Sequence, residues 1–412
     1  MQFGWIDFSK QDRTNAINII NSMKEKGVLD ELGFGSLRQA FANDFFPGTS
    51  TIQTRAKYFF IVPYILQDFI AKVSATENDF QKFAENALKE ISGLNKAEHQ
   101  TGKILVQNMG KDEKIGIIGS RSIAGGKWVK RTPLSIYWNG LRSFGFFRSK
   151  RPNYALADFF MNVFTLKRNE DSFKNATKPS KNDDSDDVDA GNFSKTNPLV
   201  KLGTYTKNWK ENLSINLTNA EAEILKEKII ESMPDSLLAF ILQNKIDISS
   251  CSGNFEAASS LLFEKVNPEM AKKLDLANKA NEFFYMTMLR YSFLLCKDEV
   301  AEIKSEWECA WKNKTKICNN FDINETFSTM KIQNARLKLF LTNLKSAFLS
   351  DDLEKASEII IRREKDLKGK RAKLSNAEYT LSDEDKKIFS RFDYRLVSAA
   401  RIIKDIFDGE NQ

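Results

Sequence analysis

Proline scarcity constrains this chain more than any other feature. Eight prolines are spread over 412 residues, against 32 phenylalanines. Long apolar stretches therefore run without the residue that breaks helices, which suits packed helices better than a many-turned β architecture. Hydrophobic residues make up 42%, enough for real cores, so wholesale disorder is excluded. A chain of this length accommodates two or three domains.

Local signals place the elements. Ser9-Lys10-Gln11-Asp12 caps a helix whose apolar residues Ala16, Ile17, Ile19, Ile20 and Met23 have helical spacing, stopped by Gly27. A shorter helix is predicted over Ser36–Phe46, ending at Pro47-Gly48. Thr49, Ser50 or Thr51 then caps a third through Tyr58, Ile61, Ile65 and Phe69, which Pro63 should kink or split. Between Lys114 and Val129 the pattern changes. Ile115, Ile117 and Ile118 read as a short strand, Ala124-Gly125-Gly126 as a turn and Lys127-Trp128-Val129 as a returning strand. That hairpin is either the wing of a winged helix or an ordinary hairpin. Pro133 opens a helix ended by Gly145. Thr218-Asn219-Ala220-Glu221 is a capping box for a helix running to the Met233-Pro234 break. Further helices are predicted at Asn254–Val266, Pro268–Lys297, Glu299–Lys316, Glu325–Leu349, Leu353–Leu367 and Asp383–Phe407.

Residues 171–198 are polar and Asp-rich, too poor in apolar groups to offset the entropy of ordering. Asp183–Asp189 lacks the spaced ligands, Gly and terminal Glu of a calcium loop. The fold class expected is mainly α. Residues 1–168 form a multi-helix N-terminal domain with a small β-hairpin, 169–198 a flexible acidic linker, and 199–412 an all-α C-terminal domain.

The first thirteen residues show no basic cluster before an apolar run, and the most apolar window, Asn281–Cys296, is short and contains Arg290. A buried core helix explains that window better than a membrane span. The chain is expected to be cytoplasmic, with no membrane partner. Four cysteines (Cys251, Cys296, Cys309 and Cys318) without a CxxC motif read as reduced thiols.

Charge is unevenly distributed. The formal charge is +7, of which residues 1–170 carry +8, residues 171–198 carry −2 and the remainder +1. Between Lys114 and Arg151 lie nine cations and no acidic residue: Lys114, Arg121, Lys127, Lys130, Arg131, Arg142, Arg148, Lys150 and Arg151. An uninterrupted basic stretch attracts anions or an acidic partner. Its aromatic residues (Trp128, Tyr137, Trp138, Phe144, Phe146 and Phe147) would either stack bases between the phosphate contacts or form core beneath a solvated basic face. The Thr49–Arg55 segment, including Arg55, would either offer backbone N–H groups to phosphate or simply cap a helix. A second basic run, Lys355–Lys373, is diluted by Glu358, Glu364 and Asp366 and reads as a solvated helix face and loop.

Catalytic motifs are sparse. One histidine, His99, rules out phosphodiesterase types that need two or more and a His-rich zinc site; it reads as a surface or helix-start residue. Gly126-Lys127 resembles the end of a phosphate loop, but Arg121 stands at the first Gly position and Trp128 replaces Ser/Thr. Neither G-x-G-x-x-G nor G-x-S-x-G is present. A metal-dependent nuclease has one faint cue, Asp112-Glu113-Lys114, whose order fits poorly. No cofactor and no metal are expected.

Several stretches together carry a resemblance: FGWIDFS (Phe3–Ser9) with GVLDELGFG (Gly27–Gly35), FPGTSTIQTRAKYFFIVPY (Phe46–Tyr64), LSIYWNGLRSFGF (Leu134–Phe146), LKGKRAKL (Leu367–Leu374) and FDYRLVSAARIIKDI (Phe392–Ile406). They resemble a bacterial domain-of-unknown-function family, number 6361, found among phage-defence genes near helicase and phospholipase-D-like proteins. Lys370, where a proline is expected, and the acidic segment depart from its pattern. The resemblance implies a nucleic-acid-handling accessory subunit, DNA rather than RNA, with defence-system proteins as partners. Residues expected at the interface are Arg55, Arg121, Lys127, Lys130, Arg131, Arg142, Arg148, Lys150 and Arg151. The alternative is a scaffold whose basic face meets an acidic protein.

Overall fold

The computed structural model describes residues 30–72, 80–110, 115–125, 128–151, 153–176, 197–251, 253–297 and 299–412. The expected 9–27 helix, Lys127, the Asp112–Lys114 cue and most of the linker lie outside them. The described residues form helices and no named strand; an isolated antiparallel bridge pairs Phe147 with Leu199. They divide into two compact units. One comprises Pro47–Ile246 and Ser398–Gln412; the other comprises the described part of 26–46 and Asp247–Val397. The first unit thus takes chain from both sides of 169–198.

In the first unit, the helix expected from residue 51 begins instead at Tyr58 and runs to Lys72, with Pro63 inside it. Gln53 explains the late start. Its buried amide accepts from the Ser50 N–H (3.1 Å) and donates to the Gly48 carbonyl (3.1 Å), closing residues 48–53 into a loop. Among the described residues of 114–129 the predicted hairpin is absent. Residues 115–119 form turns, and Ser120–Ala124 is a short helix. The Ile118 N–H donates to the Tyr58 hydroxyl (2.8 Å), and the Thr54 hydroxyl donates to the Gly116 carbonyl (2.6 Å). Side chains of Thr54 and Tyr58, far away in sequence, thus take backbone groups that strand pairing would need. Gly116, at φ +88°, also lets the backbone pass so close to Arg55 that a Cβ would clash with it.

The Pro133–Ser143 helix starts as expected, with Thr132 at its N-cap. The helix from Leu156 reaches Ala176, eight residues into the expected linker. The Thr218 capping box opens Asn219–Ser232, and its Glu221 also accepts Lys57 Nζ (2.5 Å) and the Tyr64 hydroxyl (3.1 Å) within the core.

The second unit is built on Pro268–Cys296, whose Phe283, Phe284, Met286 and Leu289 are buried, as the core-helix reading of that window expects. Among the described residues no helix is long and apolar enough to cross a membrane. Arg290 within it donates to Ser357 Oγ (2.7 Å) and lies over the Trp307 ring. Two predicted helices are each divided: Asn313 separates Ala301–Lys312 from Lys314–Asn320, and residues 330–334 separate Ile323–Thr329 from Ala335–Leu349. The last helix begins at Leu396 rather than Asp383. All four cysteines are free thiols, and burial pushes those of Cys296 and Cys318 up.

Candidate nucleic-acid interface

The basic stretch separates its two residue types by burial. Tyr137, Trp138, Phe144, Phe146 and Phe147 are all core. Trp138 packs on Phe147 at 4.6 Å between ring centroids, and its Nε1 donates to the Tyr154 carbonyl (2.9 Å). Phe144 meets Phe59 at 5.2 Å. Trp128, less buried, stacks against His99 at 5.0 Å. His99 accordingly sits within the Phe80–Asn108 helix as a packing partner, not at a helix start. These rings are occupied by the protein itself and offer no stacking platform, so the core reading of the aromatics holds.

The cations point the other way. Arg121, Lys130, Arg148, Lys150 and Arg151 are exposed, and Arg131 and Arg142 half-buried. Gly145 (φ +69°) turns the chain after the Pro133–Ser143 helix. Phe146 and Phe147 then go inward while Arg148, Lys150 and Arg151 face solvent. The segment is held by Arg148 N–H to the Pro198 carbonyl (2.9 Å) and Val200 N–H to the Phe146 carbonyl (3.0 Å). Among the described residues none of these seven cations forms an ion pair with a carboxylate. Arg142 donates to Asn139 Oδ1 (2.6 Å), and partial burial lowers its pKa. A guanidinium desolvated without a counter-charge favours an external anion.

Arg55 stands apart from this set. Its Nε bonds both oxygens of Asp405 (2.9 and 3.0 Å), and Nη2 donates to Asn216 Oδ1 (2.7 Å). Asp405 also accepts the Ala56 N–H (2.7 Å), while burial raises its pKa. The Thr54 and Arg55 N–H groups donate to the Tyr137 hydroxyl (2.8 and 3.1 Å), which donates back to the Arg55 carbonyl (2.8 Å). Residues 49–55 are therefore neither a helix start nor a ready phosphate cradle; their backbone donors at 50, 54 and 55 are spent on the protein.

This interlock joins two of the stretches that carry the family resemblance. Tyr137 and Gly140 of LSIYWNGLRSFGF meet the FPGTSTIQTRAKYF loop, and a Cβ on Gly140 would fall 2.6 Å from the Gly48 carbonyl oxygen. Residues 1–161 match the model of the Family of unknown function (DUF6361). No curated protein and no solved structure matches the chain. Within the residues matched to DUF6361, these contacts pack the two stretches against each other. Among the described residues no group of three or more His, Cys, Asp or Glu side chains is placed to hold a metal ion.

A cleft of about 310 Å³ adjoins this surface, lined by Arg148 with Gln67, Asn197, Lys201 and Tyr205. Sequence reasoning missed Lys201 and Tyr205 because 199 onward was assigned to another domain, Asn197 because it fell in the expected linker, and Gln67 because no local motif marks it. The isolated bridge between Phe147 and Leu199 is too short to leave an alternating strand signal.

The second basic run, in the second unit, behaves differently. Lys368 pairs with Glu31 and lies 3.5 Å from Glu364, while Lys373 pairs with Glu31 (3.1 Å) and Asp385 (2.7 Å). Fully buried Glu364 accepts from the Tyr291 hydroxyl (2.7 Å) and the Lys373 and Leu374 N–H groups (3.0 and 2.9 Å). Burial works to raise the Asp385 pKa, but Lys373, Ser382 and Tyr379 outweigh it and hold the carboxyl well below its ordinary range.

Proposed function

We propose that this chain is a non-catalytic nucleic-acid-binding protein that engages phosphates through Arg121, Lys130, Arg131, Arg142, Arg148, Lys150 and Arg151. One observation carries the reading: these seven cations have no carboxylate partner among the described residues, whereas Arg55, Lys57 and Lys226 of the same unit each hold one. Cations left unpaired at a surface cost little in water and gain most by releasing counterions from a polyanion. The family resemblance supports placing this role in an accessory subunit of a bacterial anti-phage defence system, on DNA. The burial of the intervening aromatics argues that this surface contacts backbone rather than bases.

The test is a salt series of binding to labelled nucleic acid by the full chain and by Lys130→Glu/Arg131→Glu/Lys150→Glu/Arg151→Glu. We expect affinity to fall at least tenfold and the logarithmic salt slope on duplex DNA to become shallower by about 0.9 for each phosphate no longer neutralised. Thermal stability should stay nearly unchanged, the altered side chains being exposed or half-buried and outside ion pairs. Identical affinity and slope for the two proteins would sink the reading.

A further inference from the structure

The cleft beside Arg148 is lined by groups that select a ligand. Its charged and amide side chains are Arg148, Lys201, Gln67 and Asn197, and among the described residues no carboxylate lines it. Among the described residues the side chains of Arg148, Lys201 and Gln67 form no hydrogen bond or ion pair. Asn197 uses its oxygen to accept the Leu199 N–H (2.9 Å), which leaves its NH2 group to donate. The remaining walls are apolar side chains, chiefly Leu199, Val200 and Leu202, and the rings of Tyr64 and Tyr205. Those two hydroxyls are already committed, Tyr64 to Thr204 (2.7 Å) and Glu221 (3.1 Å), Tyr205 to Asp68 (2.8 Å). Tyr64 is buried against Phe60 and Trp209, so the ring surface open to the cleft is that of half-buried Tyr205.

Cations and amide donors above an apolar, aromatic floor suit a flat, acceptor-rich group joined to an anion. A nucleotide has that chemistry. The volume of about 310 Å³ lies at the small end of ligand sites, roughly 300–1,000 Å³, so it fits one nucleotide and not a duplex. A paired base is stacked inside its helix and cannot enter; an unpaired base can. We propose that this cleft holds one unpaired nucleotide, so that the basic surface binds single strands in preference to duplexes. The inference rests on the nucleic-acid reading and narrows it. Arg148 belongs to both the basic segment and the cleft, so a strand held at Arg148, Lys150 and Arg151 lies next to the cleft.

Binding is measured by fluorescence anisotropy with a labelled single-stranded DNA, the RNA of the same sequence, and the DNA duplex formed with its complement. The proteins are the wild type, Gln67→Ala/Lys201→Ala, which removes donors, and Leu202→Trp, which fills the cleft. The expected wild-type preference for a single strand over duplex is about tenfold, the order that base–aromatic stacking supplies. Both variants should lose that preference while keeping duplex affinity and thermal stability. Loss in the DNA or the RNA arm supports the proposal and names the sugar that the cleft accepts. An absent wild-type preference overturns it, as does an unchanged single-strand affinity in the stable Gln67→Ala/Lys201→Ala protein, or a parallel loss on both substrates. In those cases the surface reading survives if Lys130→Glu/Arg131→Glu/Lys150→Glu/Arg151→Glu still weakens binding. A wild type that binds none of the three probes overturns both.

Discussion

The chain carries two basic runs that look alike on paper, and folding pairs the cations of only one of them with carboxylates among the described residues. Between 120 and 151 the described cations have no ion-pair partner among the described residues, while the aromatic residues among them go inward. Between 355 and 373 only part of the charge remains free. Arg362, Lys365, Lys370 and Arg371 are exposed or half-buried, but Lys368 and Lys373 are drawn onto Glu31, Glu364 and Asp385, and Arg363 donates to the Leu32 carbonyl (3.0 Å). The difference lies in partners remote in sequence. A run of lysines and arginines states how much charge is present; carboxylates elsewhere in the chain decide how much of it faces solvent. In the LKGKRAKL stretch, expected as part of a solvated face and loop, Lys370 and Arg371 stay exposed while Lys368 and Lys373 cover a buried charge cluster.

The sharpest way to break this comparison is to remove the buried carboxylate of the second run. Glu364→Ala leaves the Tyr291 hydroxyl and the Lys373 and Leu374 N–H groups without their acceptor, and Lys368 with one counter-charge fewer. Removing one partner of a buried charged network costs about 3–5 kcal/mol. Chemical denaturation should show a loss of that order, and nucleic-acid affinity measured where the variant remains folded should not change. A near-neutral Glu364→Ala would mean that this run is as solvated as the first.

Arg55 tests the comparison within the first unit, because by charge it belongs to the phosphate-binding set and by contacts it does not. Arg55→Met keeps the aliphatic bulk but takes the guanidinium from Asp405, leaving that buried carboxylate to the Ala56 N–H. The expected cost is about 3 kcal/mol of stability, with the salt slope of binding unaltered. A variant that loses affinity without losing stability would return Arg55 to the interface.

What the sequence made legible follows the reach of each interaction. Elements whose ends are fixed within four residues are readable: the Thr218–Glu221 capping box, Asn267 before Pro268, and Thr132 before Pro133 all begin helices where expected. The 114–129 hairpin is a false signal because Ile115, Ile117 and Ile118 carry a β-like pattern whose backbone is claimed by Tyr58 and Thr54. Arg55 is not assignable from its neighbours because Asp405 lies 350 residues away. For the cleft, Gln67 and Lys201 are unremarkable alone, and no local spacing says that 197–205 returns to 146–148. The acid-free stretch is legible as charge, but that its cations stay exposed depends on no described carboxylate reaching them from elsewhere in the chain.

A smaller effect sharpens the comparison from the other side, since the first run also lies next to a buried carboxylate. Glu98 accepts the Leu134 N–H (2.6 Å) at the start of the helix that follows Arg131, and its Oε2 has no hydrogen-bond partner. Glu364, by contrast, has acceptor bonds on both oxygens. Burial pushes the Glu98 carboxyl up to about 7, against the lowering effect of the Leu134 and Thr132 contacts. An acid whose folded pKa is raised binds more protons folded than unfolded between its two pKa values. Its contribution to stability is therefore greatest below about 4.5, falls as pH rises toward 7, and is flat above that. Glu98→Gln keeps an acceptor for Leu134 and cannot ionise. The variant should match the wild type near pH 5 and exceed it by roughly 1–2 kcal/mol at pH 8, a discounted share of the 1.36 kcal/mol that each pKa unit represents. Parallel denaturation midpoints across that range would show instead that Glu98 is as well satisfied as Glu364, and that both basic runs rest on fully compensated acids.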